Sequence, residues 1–433
     1  GQGGLGAEVT AWLVVHPDDS IVIRIARAEM GQGALTGLAM LVAEELECDW
    51  ANVSTEFVSA GENLRRHQIW GDMSTGASRS IASSQLYLRQ AGAIAREMLI
   101  GAAAAQWNVP ASECIARMST IAHAPSGRTV RFGAVAADAA KVAVPADIKL
   151  KDPATWTLAG KSRRRLDVLD KVTAQPVYAI DIRLPGMLYA ALLQCPVYGG
   201  KLKSVDESAI AGMRGVRRVV RMTDAVAVVA DSWWRAKRAI ESLPVVWNDG
   251  GNGRLSSAAI ADLVRASLDA ESAQLGQADG DVAAGFARAA RRLEAEYTTP
   301  YLAHATMEPQ TCTAHVTRDR VEVWAPSQGA TTALATAAVA AGVSNDQVVV
   351  HNTMLGGGFG RRGAIQEYVR QAVLIAKEVE EPVKLLWTRE EDMRHDFYRP
   401  FGMARLAAGL DADGMPIALT MRLGGPSFVA TFV

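Results

Sequence analysis

Cysteine and histidine are both scarce and scattered in this sequence of 433 residues. The four cysteines occur singly, with no C-x-x-C pair, and the seven histidines form no H-E-x-x-H motif. Zinc sites, c-type haems and iron–sulfur clusters need such paired ligands, so the sequence predicts no protein-ligated metal. The cysteines are expected to be buried thiols, at Cys48, Cys114, Cys195 and Cys312.

The chain also lacks an excess of charge of either sign and a long apolar run. Its 45 Lys and Arg residues nearly balance its 46 Asp and Glu residues, which argues against nucleic acid as a partner. The Ala-rich segment 330–343 is shorter than the ~18 residues of a membrane span, so membrane association is expected to come through another subunit. The length of 433 residues predicts two to four domains, and the 49% of apolar residues predicts that they are folded.

What the sequence does contain is a set of glycine-rich loops, the first of them near the N-terminus. Two β-rich runs within residues 9–26 flank a turn at 16–20, which predicts a β-hairpin. The hairpin leads to the first loop, residues 29–33, and leucines at helical spacing follow over 35–46. A glycine turn at a helix N-terminus directs backbone N–H groups at an anion.

Two later segments repeat this arrangement. The second loop, residues 71–78, precedes a predicted helix from 80 to 107, and a strand at 347–352 runs into the third loop, residues 356–363, before a predicted helix from 364 to about 379. Each loop alone is also explained by a tight turn, for which glycine is the default residue. Together, the three loops suit a large ligand with several anionic groups, such as a pterin dinucleotide.

The third loop also allows a nicotinamide or flavin interpretation. It follows a strand and opens a helix, and the acidic pair Glu390 and Glu391 follows the next predicted strand, 383–387. Those acids lie about 30 residues downstream, whereas a dinucleotide fold places them ~20 residues downstream. From the residues alone, both interpretations stay open.

Patterning divides the chain into three units and a linker. Residues 1–150 form the N-terminal unit, and residues 151–170, with Pro153 and a basic run at 161–165, are expected to be the linker. Short strands and helices alternate in 171–250, which predicts a compact α/β module, and 251–433 forms the third unit. The fold class is α+β and multidomain.

Four motifs, in one order, resemble a known family. They are residues 28–33 with the helix that follows, 301–310, 323–328 and 356–362. This set is similar to the molybdopterin-binding subunit of the isoquinoline 1-oxidoreductase type in the xanthine oxidase family, a type that includes large subunits of membrane-bound aldehyde dehydrogenases. The resemblance implies a molybdenum hydroxylase large subunit in which 171–250 is the aldehyde-oxidase hammerhead module between molybdopterin-binding domains.

The resemblance also assigns roles within the loops. Gln328 is expected to place its side-chain amide against the molybdenum oxo group, and the backbone of 358–360 is expected to line the metal and its dithiolene. No protein side chain is implied as a metal ligand, because pterin sulfurs hold the metal. The cofactor-binding residues implied are Gly31, Gln32, Gly33, Thr75, Gly76, Ser78, Gly357, Gly358, Phe359, Gly360 and Arg361. Ala77 departs from the glycine-rich form expected in relatives.

Two groups of residues near these loops have alternative roles. Arg361 and Arg362 either neutralise cofactor phosphates or lie on a helix face. His304, Met307 and Glu308 either reach the cofactor or stabilise a turn before Pro309.

The implied cofactor is molybdopterin cytosine dinucleotide. The first candidate reaction is oxidation of an aldehyde to a carboxylic acid with water as oxygen source, the second is hydroxylation of an N-heteroaromatic such as isoquinoline or nicotinate, and a non-catalytic scaffold is the third. Because the chain has no iron–sulfur ligands, electrons are expected to leave through a [2Fe-2S] partner subunit and then a cytochrome c subunit at the membrane. The expected location is the periplasm, with the cytoplasm as the alternative.

In relatives a glutamate near the end of a longer chain serves as the general base. We cannot assign it here, and Glu29, Glu308 and Glu367 are not given that role. We therefore expect either a missing C-terminal part or a second polypeptide to complete the site beyond residues 428–433. The start at residues 1–10 is of the kind that follows a twin-arginine signal in this subfamily.

Overall fold

The computed structural model of the chain describes residues 6–427. The first five and the last six residues, on which the expectations about the two chain ends depend, lie outside this range. Within it, no helix combines the length and the apolar character needed to cross a bilayer.

A four-stranded sheet opens the chain. Its strands, in spatial order, are β1 (Ala7–Thr10), β2 (Leu13–Val15), β3 (Ile21–Ile25) and β4 (Val53–Phe57). The β2–β3 pair is antiparallel around the turn at 16–20, which confirms the predicted hairpin. Alternate residues of β3 are buried, as expected for a strand with one face on the core.

Helices cover this sheet and a small second one. The helices are α1 (Ala34–Leu46), α2 (Ala60–Arg65), α3 (Arg79–Ala82), α4 (Gln85–Trp107), α5 (Phe132–Ala139) and α6 (Val168–Val172). The small antiparallel sheet consists of β5 (Cys114–Arg117), β6 (Thr120–His123) and β7 (Arg128–Arg131). The predicted hydrophobic face of α1 packs against β3 and α4 in one buried cluster.

The single helix predicted from 80 to 107 is wrong, because the structure divides it into α3 and α4. The break falls at two serines. The Ser83 hydroxyl donates to the Arg79 carbonyl at 2.7 Å, and the Ser84 hydroxyl accepts from Tyr87 at 2.6 Å. Serine side chains that bond locally compete with the helical backbone pattern, so the chain turns here and starts a new helix.

Residues 151–170 were expected to be a linker, but they are bonded to the N-terminal unit. The buried carboxylate of Glu44 on α1 accepts backbone N–H groups of Leu158 at 2.6 Å and Ala159 at 2.9 Å. It also pairs with Lys151. Leu158 and Ala159 are buried in the same core as α1. A buried carboxylate requires hydrogen-bond donors, and the backbone N–H groups of this segment provide them. These bonds hold the segment against α1.

A seven-stranded mixed sheet forms the centre of the molecule. Its spatial order is β10-β11-β8-β17-β14-β15-β16. The strands from β8 onward are β8 (Leu188–Gln194), β9 (Lys201–Val205), β10 (Val216–Arg221), β11 (Ala225–Ala230), β12 (Val245–Asn248), β13 (Arg291–Thr299), β14 (Thr311–Val316), β15 (Val321–Ala325), β16 (Val348–Asn352), β17 (Val383–Leu386), β18 (Gly402–Leu410) and β19 (Pro416–Gly424). Strands from 171–250 and from 251–433 thus share one sheet, joined where β8 pairs with β17. The domain bounds and the hammerhead assignment stay predictions.

The remaining helices pack on these sheets. They are α7 (Trp233–Glu241), α8 (Ser257–Ser267), α9 (Val282–Arg288), α10 (Ala330–Ala341), α11 (Glu367–Ala376) and α12 (Arg389–Arg394). Strands β13, β18 and β19 form a separate antiparallel sheet, and α8 and α9 cover one of its faces. β9 pairs with β12 in a two-stranded ribbon.

The contact between α1 and α4 gives a test of the fold. A Cβ atom on Gly92 would overlap the backbone oxygen of Val42, whereas a Cβ atom on Gly101 of the same helix would lie 3.6 Å from its nearest neighbour, Val142. We expect Gly92→Ala to lower the free energy of unfolding by about 2–3 kcal/mol. Gly101→Ala, the control, is expected to raise it by about 0.5–1 kcal/mol. Urea unfolding of both variants measures this difference, and equal effects would contradict the packing.

Candidate functional site

The first loop is organised by the carboxylate of Glu29, which is 1% exposed. Glu29 accepts from the backbone N–H groups of Gly31 at 2.8 Å, Gly33 at 3.1 Å and Leu35 at 3.0 Å. Gly31 and Gly33 have φ values of 110° and 84°, which favour glycine. We expected these N–H groups to face an external anion. That expectation is wrong for the three named groups, because the chain's own carboxylate binds them.

Gln32 closes the same loop. Its side-chain oxygen accepts from the Met30 N–H at 2.8 Å, and its side-chain nitrogen donates to the Ala28 carbonyl at 2.9 Å. Gln32 is exposed and, together with Met30 and Gly33, lines a cavity that the second and third loops also border.

Arg165 and Asp167 fasten the first loop from the segment before α6. The Arg165 guanidinium donates to the Gly31 carbonyl at 2.8 Å, to Glu29 at 3.1 Å and to Asp167 at 2.7 Å. Burial alone would raise the pKa of Asp167, but hydrogen bonds from Arg165 and Lys171 outweigh it and lower the pKa to about 2. Asp167 therefore remains charged and holds the arginine in place.

The second loop contributes Thr75, which is 3% exposed. Its N–H donates to the Gln328 carbonyl at 2.7 Å, and its hydroxyl accepts from the Ala28 N–H at 2.8 Å. Ala77 and Ser78 follow with φ values of 50° and 56°, a left-handed turn that costs a non-glycine residue about 1 kcal/mol or more. Ala77, the departure noted in the sequence, therefore occupies a strained position at the cavity wall.

Gln328 joins the second and third loops through its side-chain amide, and the residue is 2% exposed. The amide nitrogen donates to the Thr75 carbonyl at 2.8 Å, and the amide oxygen accepts from the Gly360 N–H at 3.0 Å. A primary amide has two N–H hydrogens, so one remains after the bond to Thr75. The contact of this amide with a metal oxo group stays a prediction.

The third loop turns through three positive φ values, 94° at Gly357, 56° at Phe359 and 107° at Gly360. A Cβ atom on Gly358 would lie 2.5 Å from the Gln328 amide oxygen and 2.6 Å from the Met30 sulfur, so no other residue fits there. Phe359 is 72% exposed and lines the cavity. The loop brings its backbone next to the first loop.

The helix after the third loop starts at Glu367, three residues later than predicted, and ends at Ala376. The delay has a visible cause. The Gln366 amide nitrogen donates to the Ser327 hydroxyl at 2.8 Å, to the Gly363 carbonyl at 2.9 Å and to the Gly329 carbonyl at 3.0 Å. These bonds hold residues 363–366 in an irregular conformation, so the third loop does not lead directly into the helix.

Arg361 was predicted to bind the cofactor, and the structure corrects this. Its side chain is 1% exposed and pairs with Glu367 and, at 2.9 Å, with Asp396. The guanidinium also lies 5.6 Å from the ring centre of Trp387. Arg362 is equally buried and donates to the Glu308 carbonyl at 2.6 Å. Both arginines point into the protein and stabilise the third loop from behind.

Glu308 has the structural role considered in the sequence analysis. Its carboxylate accepts from the Gly356 N–H at 3.0 Å and from the Ile180 N–H at 3.1 Å. It therefore links the third loop to the segment before β8. Met307 is 86% exposed and makes no such link. His304 lies close to Gly360, where its imidazole bonds to Asp396 at 2.9 Å.

The three loops meet around one cavity with a volume of about 540 Å³. Of the predicted site residues, Gln32, Gly33, Thr75, Gly76, Ser78, Gln328, Phe359 and Gly360 line it, while Gly31, Gly357, Gly358 and Arg361 do not. Sequence analysis missed the lining residues Met30, Ala34, Gly37, Ala77, Ser80 and Ile81. Their proximity to the motifs was the available signal. A cavity of about 580 Å³ elsewhere, over β10, is an open groove in which Arg218 pairs with Glu378 and Arg221 with Glu207.

The strand order excludes the dinucleotide-fold interpretation of the third loop. In that fold, the strand after the glycine loop and helix pairs in parallel with the strand before the loop. Here β16 precedes the loop and lies at the edge of the sheet, whereas β17 follows α11 and lies three places away, between β14 and β8. The loop therefore does not belong to a mononucleotide-binding unit.

Comparison with protein families finds the molybdopterin cofactor-binding domain twice, over residues 2–174 and 268–425. The chain is 30% identical to isoquinoline 1-oxidoreductase subunit beta of Brevundimonas diminuta, over 97% of this chain and 59% of that protein. It belongs to the molybdopterin-binding large subunits of the xanthine oxidase family. This large subunit is also 31% identical to the membrane-bound aldehyde dehydrogenase [pyrroloquinoline-quinone] of Gluconacetobacter polyoxogenes, over 94% of this chain and 53% of that one.

This member of the family spans a little over half the length of these two relatives. Among solved structures, it resembles the aldehyde oxidoreductase of Desulfovibrio gigas, with a TM-score of 0.50 and 21% identity, over 67% of this chain and 37% of that one. That likeness concerns the fold.

The cavity of this molybdopterin-binding chain suits a pyranopterin. Its lining offers the Gln32 side chain, the remaining amide hydrogen of Gln328 and the Ser78 and Ser80 hydroxyls, and its volume is that of a small-molecule site. A Cβ atom on Gly76 would meet no atom within 4 Å, so this part of the wall borders open space. In residues 6–427, no three His, Cys, Asp or Glu side chains are grouped as metal ligands.

The Gln328 amide gives a test of how the cavity is held together. Gln328→Met keeps the volume but leaves the Gly360 N–H and the Thr75 carbonyl without a partner. We expect a loss of about 2–6 kcal/mol in the free energy of unfolding, at about 1–3 kcal/mol for each of the two buried groups. Gln32→Met, at an exposed amide, is the control, with an expected loss below about 1 kcal/mol. Equal losses in urea unfolding would contradict the bridging role.

Asp167 gives a test by pH. Because its folded pKa of about 2 lies below the usual 3.8, its contribution is present above about pH 4 and is lost as the pH falls towards 2. We expect the wild type to be more stable than Asp167→Asn by about 2 kcal/mol at pH 5, and this difference to vanish near pH 2. Asp170→Asn, exposed on α6, is the control. A pH-independent difference in chemical unfolding would contradict the assignment.

Proposed function

We propose that this chain forms the cofactor-binding part of a molybdenum hydroxylase that oxidises an aldehyde to a carboxylic acid, with water as the oxygen source. The observation that carries the proposal is the meeting of the three glycine loops at one cavity, within a chain of this family. The family's membrane-bound aldehyde dehydrogenase relative supports the choice of substrate class.

When bound, the molybdenum cofactor supplies a two-electron acceptor and an activated oxygen from water. The residues of this chain would hold it. The second loop, at Gly76 and Ser78, and the Gln32 side chain of the first loop would supply polar contacts for the pterin and its phosphates, with Gly33 in the wall beside them. The backbone N–H of Phe359 and the remaining amide hydrogen of Gln328, beside the Gly360 turn, would supply fixed donors that need no rearrangement during the reaction.

A second candidate is hydroxylation of an N-heteroaromatic compound such as isoquinoline or nicotinate. Its support is the isoquinoline 1-oxidoreductase relative, which matches almost the whole chain. A non-catalytic scaffold is a third candidate, which the retention of Gln328 and of the open Gly76 backbone disfavours.

The finer features of the proposal are those that the resemblance to the family implies. The cofactor would be the cytosine dinucleotide form, and electrons would pass to a [2Fe-2S] partner subunit and then to a cytochrome c subunit. The catalytic carboxylate would come from a further C-terminal part or from a second polypeptide. We propose a periplasmic location with attachment to the membrane through the partner.

Metal and nucleotide analysis of the purified complex tests this proposal. Near-stoichiometric molybdenum, CMP after mild acid hydrolysis, and oxidation of acetaldehyde would support it. Oxidation of isoquinoline instead would favour the second candidate. Pyrroloquinoline quinone, NAD or flavin without molybdenum would overturn the cofactor assignment. Molybdenum without turnover of either substrate class would leave the cofactor assignment standing and overturn both proposed reactions.

Gly76 allows a matched test of the cavity itself. It does not have a positive φ, and a side chain there extends into open space. Gly76→Leu is therefore expected to leave the thermal midpoint within a few degrees and to lower the molybdenum content at least fivefold by filling the cavity. Gly212→Leu is the control, since Gly212 also meets no atom within 4 Å and lies outside the cavity. Full molybdenum loading of Gly76→Leu would place the cofactor elsewhere.

A further inference from the structure

His304 is held in one orientation by a buried carboxylate. Its ring nitrogen Nδ1 lies 2.9 Å and 3.0 Å from the two carboxylate oxygens of Asp396, and its backbone N–H also donates to Asp396. The Asp396 side chain is 2% exposed. Two contacts from one carboxylate fix both the backbone and the ring of the histidine.

The other ring nitrogen, Nε2, faces the third loop. A Cβ atom on Gly360 would lie 3.7 Å from it, and Gly360 lines the cavity. The His304 side chain is 21% exposed. Among residues 6–427, Nε2 has no hydrogen-bond partner. It is therefore available to a small molecule that binds over the Gly360 turn.

The charges behind the histidine keep Asp396 ionised. Burial alone would raise the pKa of Asp396, but hydrogen bonds from His304 and the nearby Arg361 guanidinium outweigh it and lower the pKa. Arg361 in turn pairs with Glu367. Asp396 accepts the Nδ1–H hydrogen bond, and in that tautomer Nε2 carries the lone pair and is a hydrogen-bond acceptor. A group that binds there must donate a hydrogen bond.

The carboxylates near the cavity are not available to accept a hydrogen bond from a bound molecule. Glu29 and Glu308 accept backbone N–H groups, and Glu367 pairs with Arg361. Among the residues that the structure describes, no carboxylate and no histidine lines the cavity itself. His304 is therefore the titratable side chain next to the Gly360 part of its wall.

We propose that His304, oriented by Asp396, is a substrate-positioning residue whose Nε2 accepts a hydrogen bond from an O–H group bound over the Gly360 turn. The O–H group belongs either to a water molecule or to a hydrated aldehyde. This inference rests on the proposed function and names a residue of the same site. Asp396 acts through His304 and positions it.

Two substitutions separate the functions of the two ring nitrogens. His304→Asn keeps a donor near Nδ1 for Asp396 and removes Nε2, whereas His304→Gln places a polar group near Nε2. In the purified complex with acetaldehyde as substrate, we expect His304→Asn to lower kcat 10–100-fold, with KM within threefold and molybdenum content unchanged. His304→Gln is expected to recover kcat to within about fivefold of the wild type. His351→Asn, at a carboxylate-paired histidine outside the cavity, is the control.

A second readout does not depend on turnover. Diethyl pyrocarbonate modifies accessible neutral imidazoles, and peptide mass spectrometry identifies the modified residue. In the molybdenum-loaded complex, we expect ethane-1,2-diol, a stable donor of O–H groups, to slow modification of His304 at least fivefold and that of His351 by less than twofold.

The outcomes are distinguishable. Equal loss of molybdenum and of thermal stability in both His304 variants would show a packing role and overturn the inference, as would an unchanged kcat in His304→Asn. A loss in His304→Asn that grows with the hydration of the aldehyde assigns the O–H group to the hydrated substrate, and a constant loss assigns it to water. If the loaded complex does not oxidise acetaldehyde, the proposed reaction fails, and protection of His304 by the diol decides this inference alone.

Discussion

A buried primary amide holds the cavity wall together. Gln328 donates to Thr75, 253 positions away in sequence, and accepts from Gly360 in the third loop. Because the residue is 2% exposed, water cannot replace either bond, and an unsatisfied buried amide is costly. The separation of the second and third loops is therefore set by the length of one side chain. The first loop is joined to this pair through the bond between the Ala28 N–H and Thr75.

Buried carboxylates are the second constraint on the site. Glu29 orders the first loop, Glu308 the third loop, and Glu44 the segment that carries Arg165. Each of these acids accepts two or more N–H groups of the backbone. A carboxylate used in this way stabilises a loop that has no regular hydrogen bonding of its own. The same use occupies these carboxylates with backbone N–H groups, which is why the Asp396-bound imidazole of His304, whose Nε2 has no partner among residues 6–427, is distinctive at this site.

The seven-stranded sheet places the third loop relative to the rest of the protein. The loop follows the edge strand β16, and its back is fixed by Arg361 against Asp396, after α12, and by Arg362 against Glu308, before β14. β17 lies at the centre of the same sheet and pairs with β8. Strands from distant parts of the sequence thus set the position of the loop relative to the sheet. The N-terminal unit supplies the opposite wall of the cavity.

Much of this arrangement could be predicted from local patterns. The hairpin at 9–26, the glycine loops and the helices after them have periodicities that depend on near neighbours alone, and the order of the motifs identified the family. Local pattern could not show that Ser83 and Ser84 interrupt a helix, or that Glu29 occupies the N–H groups of its own loop. Local pattern assigned Arg361 to the cofactor, because an arginine in a buried ion pair and an arginine at a phosphate cannot be told apart in the sequence.

The sequence by itself determined the chemical classes of group at the site and the loops that carry them. Only the tertiary structure decided which groups face the cavity and which are bonded to other protein groups that hold the cavity wall together. The pairing of His304 with Asp396 and of Gln328 with Thr75 joins residues 92 and 253 positions apart. The partner of a buried polar group is set by what the fold brings within hydrogen-bond distance, and neither residue type nor spacing encodes that distance.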